Sequence, residues 1–167
     1  MQTALTTDCW VLHLNGGYTL AISIYQVAEL VSDTSRLPVP QAPAHCCSLI
    51  SWRNKLIPLI DYKTDLPNSN SNSNNNNNNN NIMIVKFLGE EDNIHYLAFA
   101  VTDVEKYTVN DDDFSTLKNQ NNLPFSSSII SAFHCGARGG IRDGDGGNNN
   151  INEQTTYIID MKHLYSS

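Results

Sequence analysis

The chain has 167 residues, 40% of them hydrophobic, and a net charge of −7, which is enough for one compact core or for two small halves sharing one. The charge is uneven: residues 1–66 carry 4 basic and 5 acidic side chains, whereas residues 82–167 carry 6 and 12. Without a clustered basic face nucleic acid is not an expected partner, and no apolar run approaches the roughly 20 residues that span a bilayer.

The first eight residues have neither a basic n-region nor an apolar h-region, so a cytoplasmic location is expected. Four cysteines, Cys9, Cys46, Cys47 and Cys135, two of them adjacent, do not make a disulfide framework and are expected as free thiols.

Residues 9–14 and 18–24 are apolar runs separated by Asn15-Gly16-Gly17, and Asn-Gly between two such runs predicts a hairpin. Residues 27–31 follow as a short strand. Three prolines within residues 37–43 predict an extended connection poor in ladder hydrogen bonds. The next stretch, residues 46–61, holds two Leu/Ile-rich runs broken at Arg53-Asn54, where Asn tolerates the positive φ of a tight turn, and is read as a second hairpin. Trp52, just before the turn, is expected to be buried or to cover a rim. Pro58 places the second strand of this hairpin at a sheet edge or an interruption. Asp61 is a plausible N-cap for a short helical turn.

Residues 68–81 are Ser and Asn only. Such a tract has no apolar group to offset its ordering entropy and is expected as a disordered loop between the two halves. Replacing it with a short Gly/Ser linker should leave the melting temperature within a few degrees, because closure entropy changes slowly with loop length. A collapse of the fold in that variant would make the tract structural.

Residues 82–88 and 94–101 form a further strand pair around a polar turn, and residues 104–109 extend it towards Asp111-Asp112-Asp113. After an irregular stretch come a strand at 129–133, a Gly/Asn/Asp-rich loop at 136–153 and a last strand at 155–160. About ten short strands with hardly any helix predict two small barrels or one barrel-like sandwich.

Two internal echoes occur in the same order. Ala21-Ile22-Ser23-Ile24-Tyr25-Gln26-Val27 shares its pattern of Ala, apolar, small, apolar, two variable residues and Val with Ala98-Phe99-Ala100-Val101-Thr102-Asp103-Val104. Ile60-Asp61-Tyr62-Lys63 returns as Ile159-Asp160-Met161-Lys162. Together they predict a unit built twice.

The constellations that invite chemistry are weak. His45-Cys46-Cys47 and His134-Cys135 carry zinc-ligand types, but adjacent strand residues point to opposite faces and no CxxC or HxxxH step brings ligands together. The Gly-rich stretch 139–147 lacks both the ending of a P-loop and the twelfth-position Glu of a calcium loop. No metal, cofactor or catalytic constellation is expected. Glu29 and Arg53, single charges beside apolar strands, are candidates for a pair that orders a docking rim.

Taken together, several stretches resemble the CheW-like domain of bacterial chemotaxis and twitching-motility systems. They are residues 18–24 with Val27-Ala28-Glu29-Leu30, then Leu37-Pro38 and Pro43-Ala44, then Trp52-Arg53-Asn54-Lys55-Leu56-Ile57-Pro58-Leu59-Ile60-Asp61, and Ala100-Val101-Thr102-Asp103-Val104. Ser48, Trp52 and Asn54 depart from the Gly, Leu and Gly that the family usually has there. The resemblance implies an all-β fold of two five-stranded β-barrels, pseudo-duplicated and packed around a shared core. It implies a single domain over 1–167, with a first half at 9–66, the 68–81 loop and a second half at 82–165. It also implies a noncatalytic adaptor that binds the regulatory domain of a CheA-type histidine kinase and the cytoplasmic tip of a chemoreceptor, with Val27, Glu29 and Arg53 near the partner-facing surface. The alternative is a small β-barrel that binds a ligand or is an enzyme.

Overall fold

The computed structural model describes residues 6–32, 34–46, 48–62, 81–115, 123–135 and 154–166. Ten strands follow in chain order: β1 (Thr6–Leu14), β2 (Thr19–Ser23), β3 (Val27–Val31), β4 (Arg36–Pro38), β5 (Ser48–Trp52), β6 (Lys55–Ile60), β7 (Asn81–Leu88), β8 (Ile94–Asn110), β9 (Ile129–Cys135) and β10 (Gln154–Ile159). A short helix, α1 (Met161–Ser166), ends the described chain.

The Asn-Gly-Gly hairpin forms as its sequence predicts, with Val11 opposite Ala21 and Gly16 and Gly17 at φ +85° and +80°. Gly16 is required twice over, because a Cβ there would also lie 2.6 Å from the Tyr62 carbonyl oxygen.

β8 organises the sheet. Its first half pairs antiparallel with β7 and its second half with β1. Between the halves, the β1 partner steps from Asp103 at His13 to Val101 at Leu14, which leaves Thr102 as the extra residue of a bulge. The run at 94–101 with its extension at 104–109 is thus one strand, which the bulge bends without ending. Around the first half runs an arc in the order β4-β5-β6-β8-β7-β3, and around the second half one in the order β8-β1-β2-β10-β9. Each arc takes strands from both halves of the chain.

The two echoes meet crosswise in this topology. β6 enters parallel to β8 with Leu59 opposite Ala98, and β10 enters parallel to β2 with Ile158 opposite Ala21. The strand just before Asp61 thus pairs beside the second Ala motif, and the one just before Asp160 pairs beside the first.

Period-two alternation divides the apolar side chains among three clusters. Between the arcs lies a shared core that includes Leu12, Leu20, Ile60, Val85, Leu97, Phe99 and Ile159. Ile50, Ile57, Leu59, Ile82, Ile84, Ala98 and Ala100 line the first arc. Cys9, Val11, Ala21, Val109, Phe133 and Cys135 line the second.

The expected pair of five-stranded barrels is met in part: the described chain is mostly strand, but among the described strands neither arc closes into a barrel. In the first arc β3 and β4 are its two ends, and only three residues of β4 ladder with β5, Leu37 opposite Leu49. This is also more pairing than the proline-rich stretch was expected to make. Pro38 and Pro40 have no N–H to extend a ladder further. In the second arc, among the described residues, the chain after β8 reaches β9 through a single bridge, Phe114 opposite Phe133, and through Ser115, whose N and Oγ donate to Ala132 O at 3.0 and 3.5 Å.

Asn81, expected as the end of the Ser/Asn loop, is the first residue of β7, and its side chain accepts a 3.0 Å hydrogen bond from Ser32 Oγ. The rest of that loop, the helical turn expected after Asp61 and the Gly/Asn-rich loop at 136–153 lie outside the described residues. Among the described residues no helix is long and apolar enough to cross a membrane.

Candidate docking rim

The β5–β6 hairpin turns on two residues, with Trp52 opposite Lys55. Arg53 and Asn54 both have positive φ, +47° and +60°, the signature of a turn whose twist matches its strands. Asn accepts this conformation readily, whereas an Arg there is held against its own preference. The two-residue hairpin turn imposes it, and the side chain then bonds at the rim. Arg53 Nη2 donates to Glu29 Oε2 at 2.9 Å, and Trp52 Nε1 donates to the same oxygen at 2.9 Å. The guanidinium carbon lies 4.6 Å from the centre of the Trp52 ring. One carboxylate on β3 thereby ties the hairpin tip across the open side of the first arc, where no ladder joins β3 to β5.

A bulge decides which face Glu29 takes. Val27 pairs with Val85 and Glu29 with Ile84, so Ala28 is the extra residue. In a regular strand residues 27 and 29 would share a face. Here Val27 packs against the shared core, while Glu29 lies beside Ile84 of the first-arc cluster. The structure therefore brings Glu29 and Arg53 together, as expected, and places Val27 on a different surface.

Trp52 is half-buried, packed on the edge of the first-arc cluster, and its ring lies 5.2 Å from that of Tyr96 on β8. It covers the rim. Lys55 Nζ stands 4.7 Å from the centre of the Tyr96 ring, and Lys86 faces Tyr96 directly across the β7–β8 ladder. Sequence reasoning passed over Tyr96, Lys55 and Lys86. The available signal was weak: Tyr96 alternates with Ala98 and Ala100 on one strand face, but nothing local links it to Trp52.

A second polar cluster sits behind the rim. Asp61 Oδ2 accepts from Arg36 Nη1 on β4 at 2.6 Å, Asp61 Oδ1 accepts from Asn15 Nδ2 at 2.7 Å, and Asp61 N donates to His45 O at 2.9 Å. The cluster links β4 and the end of β6 in the first arc to the β1–β2 turn in the second. The capping role expected of Asp61 is seen instead at its counterpart Asp160, whose Oδ1 accepts from Lys162 N at 2.9 Å and His163 N at 3.3 Å at the start of α1.

Among the described residues no three His, Cys, Asp or Glu side chains could hold an ion together. His134 is exposed while Cys135 is buried, as alternation requires. Burial, then the neighbouring Cys135 and Asp8, push the Cys9 thiol up to about 11, away from the low values that activate a thiolate. Burial likewise pushes the Tyr62 phenol well above its usual range. The rim's outward chemistry is instead an exposed ion pair and two lysines around two aromatic rings, a surface suited to recognition.

A family model described as CheW-like domain matches residues 9–131. No curated protein matches the chain. Among solved structures, the scaffolding protein TtCheW from Thermoanaerobacter tengcongensis is 16% identical with a TM-score of 0.59, and the alignment covers 98% of this chain and 94% of that one. At that identity the likeness is one of fold. The family match runs from β1 into β9, through the rim and every described strand of the first arc, and so the chain belongs to the CheW-like domain family.

Proposed function

We propose that this chain is a noncatalytic adaptor in a chemotaxis or type IV pilus chemosensory array, coupling a chemoreceptor to a CheA-type histidine kinase in the cytoplasm. Family membership supplies the class of partner. The observation that carries the site is the Glu29–Arg53 pair. Its side chains are 39% and 68% exposed, so the pair contributes only about 0–1 kcal/mol to stability. Yet the turn holds Arg53 at positive φ in order to make it. Geometry maintained with so little return in stability is geometry for a partner, and Glu29 and Arg53 are its contacts. Val27, on the neighbouring surface against the shared core, borders them.

Arg53→Ala should leave the melting temperature within a few degrees and weaken binding to a purified kinase regulatory domain or receptor cytoplasmic fragment by about ten-fold, a loss of about 1.4 kcal/mol. Calorimetric titration of both fragments checks this. Unchanged affinity for both would reduce Arg53 to a solvated turn residue and remove the rim from the docking surface.

A further inference from the structure

We infer that the mouth of the first arc accepts an acidic, amphipathic segment of a partner protein, its carboxylate seated between Lys55 and Lys86 and its bulky apolar side chain in the groove beside them. The inference rests on the reading of the rim as a docking surface and names the chemistry of what docks there.

The β7–β8 ladder leads from the core to this surface. Ile84 belongs to the first-arc cluster. Lys86 and Leu88 continue the same face, opposite Tyr96 and Ile94. Beyond Tyr96 the face leaves the core: Leu88 is 63% and Ile94 57% exposed, and Tyr25, on the adjoining β2–β3 turn, is 79% exposed. With Gln26, Lys86 and Phe87 these residues line a groove of about 320 Å³. Contiguous large apolar side chains left in water mark a binding surface more often than a solvated one.

Charge selects the partner. Among the described residues Arg36, Arg53 and Lys106 are each ion-paired, to Asp61, Glu29 and Asp8. Among the described residues Lys162, Lys55 and Lys86 have no such carboxylate, and the last two stand at one ring, Tyr96. In a chain of net charge −7 this is a local cationic spot with an aromatic floor, which raises the local concentration of carboxylates. On the far side of the groove the hairpin tip carries Glu90, Glu91 and Asp92. The face thus reads cation, apolar, anion, and a complementary segment reads acid, apolar, base. Two residues along a strand span about 7 Å, close to the roughly 6 Å between positions i and i+4 of a helix.

The test uses two labelled alanine-based helical peptides. One carries Glu, Leu and Lys at successive i, i+4, i+8 positions, and the other has its Glu and Lys exchanged. The first should bind the full chain about ten-fold more tightly, by fluorescence anisotropy, with a preference that shrinks as salt rises. The Lys55→Glu/Lys86→Glu double variant should invert the preference, and Leu88→Ser/Ile94→Ser should weaken both peptides. All four positions are exposed, and circular dichroism verifies that the variants fold. Equal affinity for the two peptides, binding of neither at about 1 mM, or a preference unmoved by the lysine variant overturns the inference. Sedimentation showing that the free protein self-associates through this face also overturns it, by giving the face to a second copy. If the peptides behave as expected while Arg53→Ala leaves both the kinase and receptor fragments bound, the adaptor role of the rim falls and this face stands. The reverse pattern removes this face alone.

Discussion

Asp61→Ala should lower the stability by about 2–4 kcal/mol, the largest loss expected from any polar substitution in the described chain. The carboxylate is only 10% exposed. Its removal leaves the Arg36 guanidinium and the Asn15 amide, at 2.6 and 2.7 Å, without the acceptor they were desolvated to meet. Arg36 is 29% exposed, so water recovers part of the loss, and the figure sits below that of a fully buried pair. Asp61→Asn keeps an acceptor and loses the charge, and should fall between wild type and Ala. Denaturant midpoints for the three proteins order them directly. A loss under about 1 kcal/mol would mean that solvent replaces the carboxylate and that the cluster does not hold the two arcs together.

Trp52→Ala should cost about 2–4 kcal/mol, somewhat less than a fully buried aromatic, because Trp52 packs on the first-arc cluster from its edge. Three contacts go at once: the apolar edge, the ring contact with Tyr96, and the indole N–H that shares Glu29 with Arg53. Trp52→Phe separates them. It keeps most of the packing and loses the hydrogen bond, so it should retain stability to within about 1.5 kcal/mol while loosening the Glu29 clasp. On the adaptor reading, the Phe variant also binds kinase or receptor fragments more weakly. Urea unfolding combined with fragment titration distinguishes the cases. Full stability in the Ala variant would show that the ring is a docking anchor and no part of the core.

Most of the strands were legible because their signals are local. Asn15-Gly16-Gly17 between two apolar runs demands a hairpin, and so does the Arg53-Asn54 break. Alternation of apolar residues along β7 and β8 marks strands with two packed faces, since a period of two needs no knowledge of the partner. The pairing of Glu29 with Arg53 was legible for a different reason: both positions fall in the motifs that resemble the family, and a lone charge beside an apolar strand seeks an opposite one.

What depended on register was not legible. The bulge at Ala28, which turns Glu29 away from the face of Val27, has no marker in the four residues around it; it exists because β7 offers Val85 and Ile84 as consecutive partners. The same holds for the bulge at Thr102, which exists because consecutive β1 residues, His13 and Leu14, pair with Asp103 and Val101. The open end of the first arc follows from a three-residue β4 that ends at Pro38 with Pro40 just beyond it, and its pairing strength depends on which strand lies alongside.

The hairpins, the β class, the echo of the two Asp motifs and the charged candidates at the rim can be read from the chain alone, because each rests on contacts between neighbours in the chain or on a residue's own conformational preference. Packing sets the rest: Asp61 joins Arg36 and Asn15 while its counterpart Asp160 caps a helix, Val27 packs against the shared core, and Lys55 and Lys86 converge on Tyr96. Those choices are made by residues far apart in sequence that meet only when β6 and β10 cross between the halves, and a side chain's partners there are set by the packed geometry around it.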